Sequence, residues 1–340
     1  MTADNHFLSL DWGTSKLRLR LVQSIPFAIV AEFASADGIA ATHGDWQSRG
    51  ENSPREVFYK CTIARAVRQL EQRATLSLAG LPIVASGMAT ASIGICEIPY
   101  SKAPIAADPC SFNSNLLASS EELSHNLWLL SGAATDRDVM RGEESELAGL
   151  LDQGGGDGLY VLPGTHSKHV VIRAGMIRDW KTYITGELFS LLGTHSLLSS
   201  CLDQQAATDP SDAFLNGVRS GRDACLLHEV FAIRAASLIH AVPKRQHTEY
   251  LSGLLIGHEL SQSLDQVGRC AIRIAAVGNL RRLYEAAWNE IFPNRTAEVL
   301  SESIVNAAAA RAHRLFFASK IAVKANAGDS TPTPQDGESY

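Results

Sequence analysis

The stretch "LSLDWGTSKLRLRLV" at residues 8–22 limits what this chain can fold into more than any other segment. An apolar run ends on Asp11, a small and hydroxylated turn follows at Gly13-Thr14-Ser15, and leucines at 17, 19 and 21 then alternate with Arg18 and Arg20. A period of two puts the leucines on one face of a strand and the arginines on the other. Residues 6–11, 17–23 and 27–34 therefore read as three short antiparallel strands joined by tight turns. Glycine lets a backbone approach an anion closely, and successive amides and hydroxyls can cradle phosphate oxygens. Asp11 adds a hard oxygen ligand for Mg²⁺ or its waters.

The plan returns in the second half. A strand at 159–167 runs into Pro163-Gly164-Thr165-His166-Ser167-Lys168, and the segments "KHVVIRAG" and "MIRDWKTYIT" follow as strands. This suggests an internal duplication, with Lys168 adding a mobile positive charge to the second turn. Taken singly, either turn is an ordinary β-hairpin. Taken together, one in each half, they can grip a nucleotide from both sides.

A length of 340 residues implies two domains. The glycine-rich break "DQGGGDG" at 152–158 places the boundary, giving domains at 1–152 and 153–324 and a polar, disordered tail at 325–340. Within the first domain, 37–53 reads as loop and 54–74 as a helix opened by Ser53 at the N-cap and Pro54 at the first helical position. Buried strands are expected at 81–88 and 127–132, and a helix at 143–151. In the second domain helices are expected at 186–201, 211–240, 248–266 and 303–320, interrupted by a strand at 272–279.

Composition excludes several classes of function. A net charge of −6 with no run of Lys or Arg argues against nucleic acid or an anionic membrane as partner. The cysteines at 61, 96, 110, 201, 225 and 270 contain no C-x-x-C pair, which fits reduced thiols in a cytoplasm. No segment of about 18 apolar residues occurs, and no secretory leader pattern opens the chain. There is no G-x-x-x-x-G-K-[ST] loop, no Rossmann spacing, no H-E-x-x-H and no G-x-S-x-G elbow. His166 and His169 fall on opposite faces of a strand, which is wrong for zinc.

Several ordered segments carry a resemblance: "DWGTSKLR" (11–18), "SGMATASIGICEIPY" (86–100), "VMRGEESEL" (139–147), "LPGTHSKHV" (162–170), "TGELFSLLGTHSLL" (185–198), "YLSGLLIGHEL" (250–260) and "GNLRRLYEAA" (278–287). With them the chain resembles the 2-dehydro-3-deoxygalactonokinase family of the sugar-kinase, Hsp70 and actin superfamily over about residues 7–320. The resemblance implies two ribonuclease-H-like α/β domains with a nucleotide cleft between them. It implies ATP and Mg²⁺ as cofactors and a small sugar acid, 2-dehydro-3-deoxy-D-galactonate, phosphorylated on its 6-hydroxyl. One departure stands out: family members often carry Gly-Trp where this chain has Gly94-Ile95, a segment on the sugar-domain side, so it bears on which sugar acid is used.

The resemblance also distributes roles. Asp11 would hold the metal; Gly13, Thr14, Ser15, Gly164, Thr165, His166 and Lys168 would meet phosphates; and Gly278-Asn279 is similar to the superfamily's adenosine turn. Glu143 is the expected general base, with Glu144 and Asp11 as alternatives, although acidic pairs at helix starts also serve the helix dipole. The E-E-x-x-L arrangement is similar to that of exopolyphosphatases of the same fold. Arg18, Arg141 and Glu187 fall on the substrate side. Arg141 either pairs with a neighbouring acid or reads the substrate carboxylate through a planar contact. Thr185-Gly186-Glu187 either caps its helix or offers Glu187 to sugar hydroxyls. Gly253 and Gly257, four apart, suit close helix packing. A phosphohydrolase of the same fold and a non-catalytic nucleotide-binding regulator are the competing classes, and a homodimer is left open.

Overall fold

The computed structural model describes residues 5–49, 53–203, 209–263 and 270–322, so the tail expected at 325–340 lies outside the described residues. The three expected opening strands are β1 (His6–Trp12), β2 (Leu17–Gln23) and β3 (Ala28–Ser35). Ser9 lies opposite Arg20 and Asp11 opposite Arg18 in the antiparallel β1–β2 ladder. β4 (Ile83–Gly87) runs parallel to β1. With β7 (Ser114–Leu117) and β8 (Leu127–Leu130) it completes a sheet ordered β3-β2-β1-β4-β8-β7.

The second sheet has the same plan. β11 (Gly158–Leu162), β12 (Ser167–Arg173) and β13 (Met176–Tyr183) form its antiparallel meander. β14 (Ile272–Ile274) and β15 (Glu298–Val299) add in parallel, and β6 (Ile105–Ala106), from the first half, closes the far edge beside β13. Within the order β15-β14-β11-β12-β13-β6, the run β13-β12-β11-β14-β15 repeats β3-β2-β1-β4-β8 of the first sheet, which is the internal duplication the sequence suggested. A small sheet of β5 (Ser101–Lys102), β9 (Ala133–Ala134) and β10 (Val139–Met140) precedes the helix at 143.

Alternation decides which helices cover which face. Leu8, Leu10 and Trp12 of β1 pack with Tyr59, Ile63 and Leu70 of α2 (Arg55–Ala74) and with Ile39 of α1 (Ile39–Ser48). The opposite face, with Phe7, Val22 and Val84, meets Ala310 and Phe316 of α9 (Glu302–Phe316). α9 and α3 (Glu143–Asp152) also bury Leu147, Ala148, Ala308 and Ala312 against Tyr160, Leu162 and Val170 of the second sheet. α9 thus packs against both sheets, with α3 beside it against the second. On the outer face, Leu159 and Val161 pack with Phe214 of α5 (Asp212–Asp223), Ile256 of α7 (Lys244–Ser261) and Trp288 of α8 (Gly278–Ile291). α4 (Thr185–His195) and α6 (Leu226–Ile239) add Leu188, Leu192 and Ile233 to a satellite core with α7.

Several expectations need correcting. The supposed loop at 37–53 contains α1, whose apolar period is broken by glycine. Its first amides are satisfied by the β1–β2 turn, Ile39 N donating to Gly13 O at 3.0 Å and Ala40 N to Thr14 O at 3.1 Å. The helix at 54–74 starts one position late, with Pro54 as the N-cap residue. The helix at 211–240 is two helices separated by Ala224 and Cys225, the helix at 186–201 stops at His195, and that at 248–266 begins at Lys244. The strand at 272–279 ends at Ile274, and α8 follows from Gly278. Ile95 is 4% exposed in the first core, which accounts for an apolar residue there without contact to the cleft described below.

The spacing of Gly253 and Gly257 does serve close packing. An added Cβ at Gly253 would lie 2.0 Å from Phe214 O and one at Gly257 2.4 Å from Val218 O, while Gly217 and Gly221 of α5 stand equally close to Tyr250 O and Leu254 O, at 2.1 and 2.2 Å. Gly253→Ala is expected to destabilise by about 1–3 kcal/mol or more, because the obstacle is backbone. Gly44→Ala in α1, where an added Cβ meets nothing within 4 Å, is expected to stabilise by about 0.5–1 kcal/mol. Thermal melts check both, and a wild-type melt for Gly253→Ala would rule out the close crossing.

Candidate active site

β1, β4 and β11 all end at one cleft of about 510 Å³ between the two sheets. Asp11, Gly13 and Thr14 form one wall, Gly164, Thr165, His166 and Lys168 face them, and Arg141, Glu143 and Glu146 stand at the head of α3. The two turns are held alike. Gly38, before α1, lies so close to the first turn that an added Cβ would sit 2.3 Å from Thr14 O. Gly186, at the start of α4, approaches the second turn so that a Cβ would sit 2.5 Å from Gly164 O, and Glu187 N donates to Thr165 O at 3.0 Å. Gly87 is required for a further reason: its φ is 89° and its Cβ would meet Trp12 O at 2.8 Å.

The carboxylates differ sharply in surroundings. The Asp11 carboxylate accepts no hydrogen bond from a described residue. Burial pushes its carboxyl up and Glu143 adds to that, while Arg18 and Arg20 draw it back. Glu143 accepts from Arg141 N at 2.9 Å and meets Lys168 Nζ at 3.3 Å, and its side chain is a quarter exposed. Lys168 also donates to His166 O at 3.2 Å. Glu144, in contrast, is fully buried, takes the Gly142 amide at 2.8 Å, and is not part of the cleft wall. Burial, then the Glu143 charge, pushes its carboxyl up to about 8.

Glu146 was not singled out in the sequence. It lines the cleft, and burial together with Asp11, Glu143 and Glu144 pushes its carboxyl up to about 8. The signal was there: Glu143 and Glu146 are three apart on one helix and so share a face.

Other expected residues are placed less centrally. Arg18 lines an adjoining recess of about 470 Å³ with Ser15 and Lys16, sharing Asp11 and Gly13 with the cleft, and lies 4.0 Å from Glu32. Arg141 pairs with neither neighbouring acid through its side chain. Its Nη1 donates to Thr90 O at 2.6 Å and to Thr90 Oγ1, and the guanidinium stacks 4.1 Å from the Tyr100 ring centre. Glu187 holds His166 Nε2 at 2.6 Å, both about half exposed. Thr185 caps nothing: Ile184 is the N-cap residue, and the Thr185 hydroxyl donates to Glu259 on α7. His169 is buried against Glu259 at 2.9 Å.

Gly278, with φ of 59°, opens α8, and Asn279 lines a mostly apolar recess of about 180 Å³ with Phe189, Ile256, Leu283 and Tyr284. Gly164 belongs to this recess as well as to the cleft, so the two adjoin at the second turn. An apolar slot beside hydroxylated turns and a lysine suits an apolar ring joined to a polyanion. Among the described residues no cluster of three or more His, Cys, Asp or Glu side chains could hold a metal by itself. The Asp11 carboxylate, free of a protein partner in the cleft, fits a hydrated Mg²⁺ completed by phosphate oxygens.

Residues 11–311 match the family model described as 2-keto-3-deoxy-galactonokinase. The chain belongs to this kinase family. It is 31% identical over 303 residues to the 2-dehydro-3-deoxygalactonokinase of Escherichia coli strain K12, covering 87% of this chain and 93% of that one. The crystal structure of a Sinorhizobium meliloti protein provisionally named for the same kinase has a TM-score of 0.73 at 27% identity, across 97% of this chain and 98% of the other. An activator of 2-hydroxyisocaproyl-CoA dehydratase from Clostridium difficile, solved with ADPNP bound, aligns over 97% of this chain and 100% of its own with a TM-score of 0.52; at 11% identity it shares the two-domain fold alone.

In this kinase-family chain the raised carboxyl of Glu144 links stability to pH. Its folded value, about 8, lies above the ordinary glutamate value of 4.5, so the folded state holds a proton that the unfolded state has released between those limits. Stability contributed below about pH 4.5 is therefore lost as pH rises through about 8. Glu144→Gln keeps an acceptor for Gly142 N and is expected to flatten that fall by up to about 1.4 kcal/mol per pH unit. Melts of both proteins between pH 5 and 8.5, without nucleotide, check this; parallel slopes would show that Glu144 does not titrate there.

Proposed function

We propose that this chain transfers the γ-phosphoryl group of ATP to the 6-hydroxyl of 2-dehydro-3-deoxy-D-galactonate. The observation that carries the reading is the facing pair of turns, one ending β1 at Asp11 and one ending β11 before Lys168, which open on one cleft with Glu143 between them. Family membership supplies the substrate class. The apolar recess takes the adenine, and Gly13, Thr14, Gly164, Thr165 and Lys168 meet the phosphates. Asp11 would hold Mg²⁺ through water, and that ion, when bound, neutralises phosphate charge. Glu143 accepts the hydroxyl proton as the oxygen attacks phosphorus. Phosphoryl transfer needs mostly positioning and charge compensation, which this arrangement offers.

Arg141 is the substrate-reading cation in this scheme. Thr90 and Tyr100 fix its plane, so its remaining guanidinium nitrogens meet a carboxylate without first being ordered. The enzyme works in the cytoplasm, which suits cysteines that contain no C-x-x-C pair; no described helix is long and apolar enough to cross a membrane. A phosphohydrolase of the same fold has no observation in its favour.

ADP release followed across a panel of 2-keto-3-deoxy sugar acids and neutral sugars tests the reaction. Release that does not depend on any acceptor would overturn it in favour of hydrolysis. Asp11→Asn is expected to lose at least roughly 100-fold in kcat, about 2.7 kcal/mol of barrier, with an unchanged melt. Glu143→Gln should lose about 10²–10⁴-fold with ATP binding retained; near-normal turnover in either variant would remove that residue from the chemistry. For Arg141→Leu, KM for the acid should rise roughly 10- to 150-fold while KM for ATP moves much less. An unchanged KM for the acid rules out the carboxylate role.

A further inference from the structure

Behind the second turn lies a buried polar cluster that the proposed chemistry does not use. Glu259 of α7 is 2% exposed, yet its carboxylate collects donors from three other elements. Oε1 takes His169 Nε2 of β12 at 2.9 Å; Oε2 takes the Tyr284 hydroxyl of α8 at 2.8 Å and the Thr185 hydroxyl at the start of α4. A buried carboxylate is tolerated when its lone pairs are filled in this way.

The donors run in one direction. Gly164 N donates to Ser167 Oγ at 3.4 Å, Ser167 Oγ lies 3.0 Å from the Tyr284 hydroxyl, and that hydroxyl donates to Glu259. Since the Tyr284 proton goes to Glu259, its oxygen accepts from Ser167, and the chain leads from the phosphate-facing turn into the carboxylate. His169 Nδ1 has no partner among the described residues. That fits the tautomer carrying its proton on Nε2, because an unpaired buried acceptor costs less than an unpaired N–H.

We infer that Glu259 is the positioning residue that fixes the nucleotide-facing walls of the second half, by tying the 163–168 turn, the start of α4 and the face of α8 to one buried point. Thr185 and Tyr284 both line the apolar recess, and Gly164 joins the recess to the cleft. Glu259 itself touches neither. The inference rests on the nucleotide reading of that recess. It goes beyond that reading by assigning ATP affinity to a side chain outside the site.

Thr185 and Tyr284 donate to the same oxygen, Glu259 Oε2, so their effects on ATP must be coupled. Kinetics of the wild type, Thr185→Val, Tyr284→Phe, the double variant and Glu259→Gln test this, with KM for ATP, KM for the sugar acid, kcat and melting temperature measured for each. KM for ATP should rise about 5- to 30-fold in Glu259→Gln, since a hydrogen bond to a charged group is lost and the amide presents a donor to donors. KM for the acid should stay within about twofold. Thr185→Val and Tyr284→Phe should each raise KM for ATP, and the double variant should fall well short of the product of their fold-changes. A lowered melt with KM for ATP unchanged, or fold-changes that multiply, would overturn the inference while leaving the nucleotide reading in place. A wild-type protein that neither binds ATP nor releases ADP sinks both. If Glu259→Gln does not fold, the two conservative variants and their double carry the test alone.

Discussion

Much of this molecule depends on one backbone contact. At Gly149 of α3, an added Cβ would lie 1.8 Å from Ala308 O of α9, so the two helices meet without side chains between them. That contact seats α3 directly on α9, the helix that packs against both sheets. It also sets how the strand ends face one another. α3 is tethered at both ends of its length, by Glu143 to Lys168 at the cleft and by Asp152 to Arg311 and Arg314 at 3.3 and 2.8 Å beyond it. A bulkier residue at 149 would move the head of α3 relative to Asp11 and therefore disturb the cleft from a position further along the helix than Glu143.

This pair of helices is also where charge is most constrained. His313 of α9 is fully buried and meets Ser9 Oγ at 2.8 Å; burial, with Arg20 nearby, pushes its imidazole down to about 3. A base depressed in the folded state contributes stability that is lost as pH falls from its ordinary 6.5 toward that value. Glu144, at the head of the neighbouring helix, titrates in the opposite sense on the alkaline side. The two helices thus carry groups that work against folding at opposite ends of the pH range.

The repeated meander was legible because alternation at period two and a Gly-Thr turn are local signals, and they survive without any knowledge of the partner strand. α1 was not, because what stabilises its start is a pair of turn carbonyls, Gly13 O and Thr14 O, contributed from more than twenty residues earlier. Asp11, Glu143 and Lys168 could be picked out from the motifs in which they stand, and all three line the cleft. Glu259 and Tyr284 could not, since a glutamate and a tyrosine on helices read as surface and core until the fold brings them together. Arg141 shows the limit of reading by adjacency. Its side chain passes over the two acids next to it and reaches Thr90, fifty-one residues away in sequence.

The four glycines between α5 and α7 have a bearing on motion. Where backbone meets backbone at Gly217, Gly221, Gly253 and Gly257, sliding one helix along the other would drive carbonyls into main chain rather than exchange one rotamer for another. Shear is closed to this pair. Any rearrangement of the second half must therefore carry α5 and α7 together as one rigid block, with Glu259 and the α8 residues packed on them travelling along, and bending has to be taken up where main chain is not interlocked.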